Sequence, residues 1–241
     1  MIASGRDREG ALSTASIGCL RKAAYVTQDG RWLEYLRRTG IDPSLFRVGQ
    51  SFAPEAGLQP TPPADLAGRW SLLPMPEPMW RSRANGLPLE ECFQFGSFRS
   101  APDASGDYIL IKGWNGAWRN PYHAYVLLEL RMDGQTVLEG FLNQVLTRAD
   151  GMVEPAVAMD GAFRRRDAIG GSAVAVGEVP DAAFCGWRRT LVQRVGRCAL
   201  IVDRLKFRAD SEDMEVEILW QGKGAWRALP EGGAVRIEGA G

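Results

Sequence analysis

The sequence predicts a mainly β protein: an antiparallel β-sandwich preceded by a short N-terminal α-helical segment. Three observations carry this. After Glu91 the chain breaks into eight strand-length runs with no helical pattern between them, which implies stacked antiparallel sheets. The runs are separated by Asp-Gly, Gly-Gly, Gly-Arg or proline-containing breaks, the residues of tight turns. The first ~50 residues, by contrast, are Ala-rich and poor in strand formers.

Residues 1–50 are expected to hold two helices. "ALSTASIGCLRKAAYVTQ" forms the first, and "DGRWLEYLRRTG" places Trp32, Leu33 and Leu36 at helical spacing before Gly40, a helix terminator. Residues 51–90 change character, because eight of the fourteen prolines fall between Ser51 and Pro88. Proline removes a backbone donor, so long helices and central strands are excluded there. Trp70, Leu72, Leu73, Met75, Met79 and Trp80 are too apolar for a free linker, and an ordered, extended crossing segment follows. Residues 91–241 form the sandwich, from "CFQFGSFR", "DYILIKGW", "YHAYVLLELR", "QTVLEGFLNQVLT", "SAVAVGEV", "FCGWRRTLVQRV", "CALIVDRLKF" and "MEVEILW".

Two hairpins fix expected registers. Asp133-Gly134 suits a type I′ turn, which needs positive φ at both central residues. A two-residue turn there sets Arg131 opposite Thr136, Tyr125 opposite Leu142 and His123 opposite Gln144. Parity then sends Tyr122, Ala124, Val126, Leu128 and Leu130 to the core, with His123, Tyr125, Leu127, Glu129 and Arg131 on the more polar face. Gly196-Arg197 suits a type II′ turn with glycine first, which sets Val192 opposite Ile201 and Thr190 opposite Asp203. Arg188 then lies diagonally from Asp203, within ion-pair reach.

Composition limits the function classes. Lysines and arginines number 29 and acids 29, so no field of one sign gathers nucleic acid or an anionic membrane. A polyanion would be held by local basic clusters. No apolar run approaches the roughly 20 residues of a membrane span, and "MIASGRDREG" lacks the apolar core of a signal peptide. As written the chain is expected in the cytosol, or in the periplasm or outside the cell if its N-terminus is truncated. Cys19, Cys92, Cys185 and Cys198 have no metal-ligand spacing, and reduced structural thiols are expected. One histidine and dispersed acids give no metal site, no cofactor is implied, and no G-x-S-x-G or phosphate loop occurs.

The order of elements resembles the heparinase II/III-like polysaccharide lyases. The residues that carry the likeness are "GRWLEYL", the proline-rich crossing, "FGSFRSAPDASGDYILIKGWNG", the histidine-bearing strand, "WRRTLVQ" and "ALIVDRL", over about Tyr25 to Trp220. The resemblance implies an N-terminal α/α toroid followed by a large antiparallel sandwich. Here only ~50 residues stand for the toroid, and the strand after "GWNG" carries His123 without the second histidine and aspartate. The chain thus looks like a piece of such a lyase, able to pack against a missing toroid, or a relative without its catalytic half.

Such lyases act on acidic, uronate-containing polysaccharide, including glycosaminoglycan, by β-elimination. The carboxylate is neutralised, a base removes the C5 proton, and an acid protonates the leaving oxygen. The resemblance makes His123 the base or carboxylate partner and Tyr125 the proton donor, with Gln144 and Arg119 as carboxylate binders. Trp114 and Trp118 suit stacking on sugar rings, or packing at a sandwich end. Arg164, Arg165 and Arg166 form a dense basic run, read either as solvated loop charge or as a carboxylate or sulfate clamp. Whether the chain is an enzyme is left open. A non-catalytic carbohydrate-binding or assembly module is the alternative, with His123 an ordinary solvated strand residue.

Overall fold

The structure is a computed structural model that describes residues 14–38, 40–42, 57–61, 67–81, 87–102, 105–114, 124–149, 151–152, 160–180, 182, 184–209, 213–222, 225–228 and 235–238. The chain divides into two compact units, 6–67 and 68–241, the second also taking residues 1–5.

The first unit holds helices α1 (Thr14–Thr27) and α2 (Arg31–Arg38). Asp29 begins α2 by accepting the Arg31 amide at 2.9 Å and the Arg31 guanidinium at 2.6 Å, as an acid at a helix N-terminus does. Gly30 is required, since a Cβ there would lie 2.0 Å from the Gln59 carbonyl oxygen. Gly40, at φ 76°, ends α2. Its amide donates to Arg37 and that of Ile41 to Leu36, the paired bonds of a Schellman stop.

The second unit is built from antiparallel sheets. Strands β1 (Arg69–Pro74), β2 (Phe93–Arg99), β3 (Tyr108–Lys112), β4 (Val126–Met132) and β5 (Gln135–Glu139) form one sheet in chain order. A five-residue helix α3 (Glu77–Arg81) follows β1. Strands β7 (Ala162–Ile169), β8 (Ser172–Val179), β9 (Cys185–Arg194) and β10 (Cys198–Phe207) form the second sheet, in the order β10-β9-β8-β7. Strand β6 (Gln144–Arg148) pairs with β11 (Glu215–Leu219), and β12 (Ala225–Ala228) with β13 (Val235–Glu238). The sandwich therefore takes in β1, from the proline-rich stretch, as an edge strand, rather than beginning at residue 91.

One core joins the two large sheets. Phe93, Phe98, Ile109, Ile111, Leu127 and Leu130 meet Phe163, Ala173, Ala175, Val179, Trp187 and Leu191. Burying each large apolar side chain contributes about 1.5–3 kcal/mol. Size complementarity shapes this layer, because β8 presents Ala173, Ala175 and Gly177 inward and leaves room for the rings opposite. Trp70 of β1 sets its ring edge on Phe163, centroids 5.5 Å apart, and donates its Nε1 proton to the Asp167 carbonyl at 2.9 Å. At one end of the sandwich, Asp107 accepts the amides of Asp133 at 2.7 Å and Gly196 at 2.9 Å, so one carboxylate holds the turns of both sheets.

The Asp133-Gly134 turn forms as expected, with φ of 48° and 73° and Arg131 opposite Thr136. Beyond it the ladder departs from the sequence reading. A bulge at Val137 shifts the β4/β5 register by one, and a second at Leu128 shifts β3/β4, so Ile111 faces Leu127 while Leu110 faces Glu129. A one-residue shift reverses every following side chain. Tyr125 and Leu127 thereby enter the core instead of the polar face. "QTVLEGFLNQVLT" is also two strands rather than one, and Gln144 lies opposite Leu219 of β11, while its expected partner His123 lies outside the described residues.

The β9/β10 loop has three residues, Val195 to Arg197, with Gly196 at φ 67°, rather than two. The register accordingly slips by one. Asp203 faces Arg189, Leu191 faces Ile201, and Arg188 faces Arg204. None of the four cysteines forms a disulfide; Cys92 and Cys185 are buried, Cys19 and Cys198 exposed.

Candidate anion-binding site

The inward face of β9 carries Trp187, Arg189, Leu191 and Gln193, all buried. Arg189, 1% exposed, grips Asp203 with two bonds of 2.8 and 2.9 Å and donates a third, of 2.8 Å, to the Asn143 carbonyl. Its guanidinium lies 4.9 Å from the Trp187 ring centroid and 5.1 Å from that of Trp220. Trp187 Nε1 also donates to Asp203, at 2.9 Å. This buried charge is fully engaged and holds β9 and β10 in their register.

That register sets the outward face. Across the sheet, Glu178 of β8 faces Arg188 of β9, which faces Arg204 of β10. Like charges directly opposed across an antiparallel pair destabilise it. Glu178 offsets part of this, accepting from Arg188 at 3.2 Å and from Arg164 at 3.0 Å. Partial burial pushes the Glu178 carboxyl up, but the Arg164 and then Arg188 hydrogen bonds and charges outweigh it and hold the group below the usual carboxylate range. Among the described residues, Arg204 and Lys206 have no carboxylate partner. With Arg208 they line a depression of about 650 Å³, where Gly186, opposite Lys206, adds no side chain to the floor and Phe207 gives an apolar wall. Among the described residues, Arg188, Arg204 and Lys206 thus share one open hollow whose lining holds one carboxylate, Glu178, already bonded to Arg164 and Arg188. Such a place takes an anionic group, by bidentate guanidinium bonds where geometry allows.

Of the residues singled out in the sequence for catalysis and sugar contact, the described ones are Tyr125, Gln144 and Trp114. Tyr125 is 1% exposed, and among the described residues its hydroxyl has no hydrogen-bond partner. It sits at φ 63° with its ring over Gly177, where a Cβ would come within 1.8 Å of the ring carbons. Burial drives its ionisation far upward; the nearby Arg189 opposes this and Asp203 adds to it. A phenol so placed cannot hand a proton to a polysaccharide at the surface. Gln144 is likewise fully buried. Trp114 is half-buried, bridges to Asp160, packs against the cluster of Met75, Leu87, Cys92 and Ala162, and has Lys112 Nζ 5.6 Å from its ring. His123, Arg119 and Trp118 lie outside the described residues.

The three arginines belong to strand β7, not to a loop, and part company there. Arg164, at a bulge, bridges Glu91 and Glu178. Arg165 pairs with Asp167, and the exposed Arg166 lays its guanidinium 5.9 Å from the Phe163 ring. They form no common clamp. The sequence reading missed Arg188, Arg204, Lys206 and Arg208. The signal for Arg204, Lys206 and Arg208 is "DRLKFR", in which cations at every second position share one strand face, whereas the expected register gives Arg188 to Asp203.

No protein-family model, curated protein or solved structure matches the chain. No helix among the described residues is long and apolar enough to cross a membrane.

Proposed function

We propose that this chain is a non-catalytic β-sandwich module that binds acidic polysaccharide, uronate-containing or sulfated, on the outward face of its four-stranded sheet. The observation that carries the reading is the direct opposition of Arg188 and Arg204 beside Lys206, in a hollow where the one carboxylate among the described lining residues, Glu178, is already shared. A single carboxylate or sulfate bound there relieves the arginine–arginine repulsion, and the hollow opens on a sheet face that a polymer can lie across. The elimination chemistry implied by the likeness to heparinase II/III-like lyases has less support, because Tyr125 is sealed in the core. A sandwich of that lineage that kept binding without cleavage accounts for both features.

Affinity electrophoresis in gels containing heparin, chondroitin sulfate or alginate tests the proposal, with neutral dextran as control. Retardation by at least one acidic polymer, weakening as salt is raised and lost in Arg204→Glu/Lys206→Glu, is the expected result. Equal mobility in acidic and neutral gels overturns it.

A further inference from the structure

Strand β10 ends its sheet, and among the described residues no strand pairs with its outer edge. It is ten residues long, contains no proline, and matches β9 over ten consecutive pairs without a shift. A straight edge of this length exposes a row of backbone donors and acceptors that template a further strand. Its outward side chains Leu200 and Val202, 59% and 49% exposed, extend an apolar strip through Val192 and Val174 on the same face.

We infer that β10 pairs antiparallel with β10 of a second copy of this chain, joining two four-stranded sheets into one of eight. The charge pattern selects the occupant and the register. Outward residues 198, 200, 202, 204 and 206 must meet outward residues, so only shifts of two are allowed. With Val202 opposite Val202 of the copy, Arg204 meets Leu200, Lys206 meets Cys198, and on the inner face Asp203 meets Ile201 and Leu205 meets Ala199. Residues 198–206 are then paired throughout with no like charges opposed. Shifting by two in one direction opposes Asp203 to its own copy, and in the other it shortens the ladder by two residues. The strand is thus self-complementary about Val202, and the contact is isologous, closing at two copies.

Pairing also extends the proposed anion site. The two Arg204 residues come to one face, separated by four residues along the strand and one strand spacing, about 14 Å. The two hollows then flank a shared apolar strip and engage one polyanion at two points. That consequence rests on the glycan-binding reading, whereas the pairing rests on the strand alone.

Sedimentation of the full chain without polysaccharide tests the pairing. The wild type should run as a dimer at micromolar concentration, and Val202→Lys, which opposes two ammonium groups across the dyad, should weaken self-association at least about tenfold. A wild-type monomer, or a Val202→Lys dimer of unchanged strength, overturns the inference. Crosslinking settles geometry in a Cys19→Ser/Cys198→Ser background. Val202→Cys should yield a covalent dimer under mild oxidation, while Ile169→Cys, exposed at the opposite edge strand, should not. Crosslinking through Ile169→Cys alone would overturn the inference even if the protein dimerises. Glycan binding that fails while the dimer persists would refute only the polyanion reading.

Discussion

Replacing Tyr125 by phenylalanine should stabilise the protein, although a residue cast as a proton donor would be expected to matter for its hydroxyl. The ring is enclosed by Phe93, Phe163 and Trp187, with centroids 6.1, 6.1 and 6.4 Å away, and all of that packing survives the change. What is removed is one buried hydroxyl with no partner among the described residues. Burying a hydroxyl without a hydrogen bond costs about 1–3 kcal/mol on the scale of protein substitutions. The void left by one oxygen returns a few tenths of that, at about 24 cal/mol per Å³. The expected gain is therefore about 1–2 kcal/mol, which for a unit of this size raises the midpoint by roughly 2–4 °C per kcal/mol. Urea unfolding followed by tryptophan fluorescence measures it, with an unchanged m-value showing that the denatured state is unaltered. A loss of 1 kcal/mol or more would refute the reasoning and show that the hydroxyl has a strong native partner.

The buried pair beneath the site gives an opposite expectation. Asp203→Asn strips the counter-charge from Arg189 and should cost about 3–5 kcal/mol in the same unfolding assay, as loss of one partner of a buried ion pair does; a cost under about 1 kcal/mol would mean the guanidinium reaches water. The lowered pKa of Glu178 sets a pH dependence. Its depression stabilises the fold at pH above the ordinary carboxylate value of 4.5, and that contribution fades as pH falls through the lower folded value. Over the same acid window Arg188 is released from Glu178. Binding to a sulfated polymer, which stays ionised, should tighten as pH falls, and Glu178→Gln should tighten it already at neutral pH, as read by titration calorimetry. Weaker binding by Glu178→Gln would show that the carboxylate organises the arginines instead of competing for them.

Features with a local chemical cause were legible in the sequence. Gly40 ends its helix because few other residues tolerate positive φ there, and Asp133-Gly134 makes its turn for the same reason. The bulges at Leu128 and Val137 were not legible, because both lie in apolar runs where an extra leucine or valine looks like any other core residue. Their cost to the reading was large: the shift at Leu128 carried Tyr125 from the expected polar face into the core. Arg164, Arg165 and Arg166 concealed β7, since three consecutive exposed charges mimic a loop and only the buried Ala162 and Phe163 before them mark the strand. The anion site depended on a single loop residue. With a two-residue turn, Arg188 would reach Asp203 diagonally. The third residue instead gives Asp203 to Arg189 and leaves Arg188 facing Arg204.

Asp107 bears on how the sandwich comes together. Its two oxygens serve amides 26 and 89 residues away in sequence, one in the turn of each sheet. Either hairpin can close by itself, but the two bonds coexist only when the sheets are stacked in their final alignment. The carboxylate therefore discriminates assembled sandwich from separately formed sheets, and sliding one sheet over the other would strand at least one of its oxygens. Loop closure over the longer span is the entropically expensive step. The second bond therefore makes the alignment of the sheets, rather than the existence of either one, the property that this residue protects.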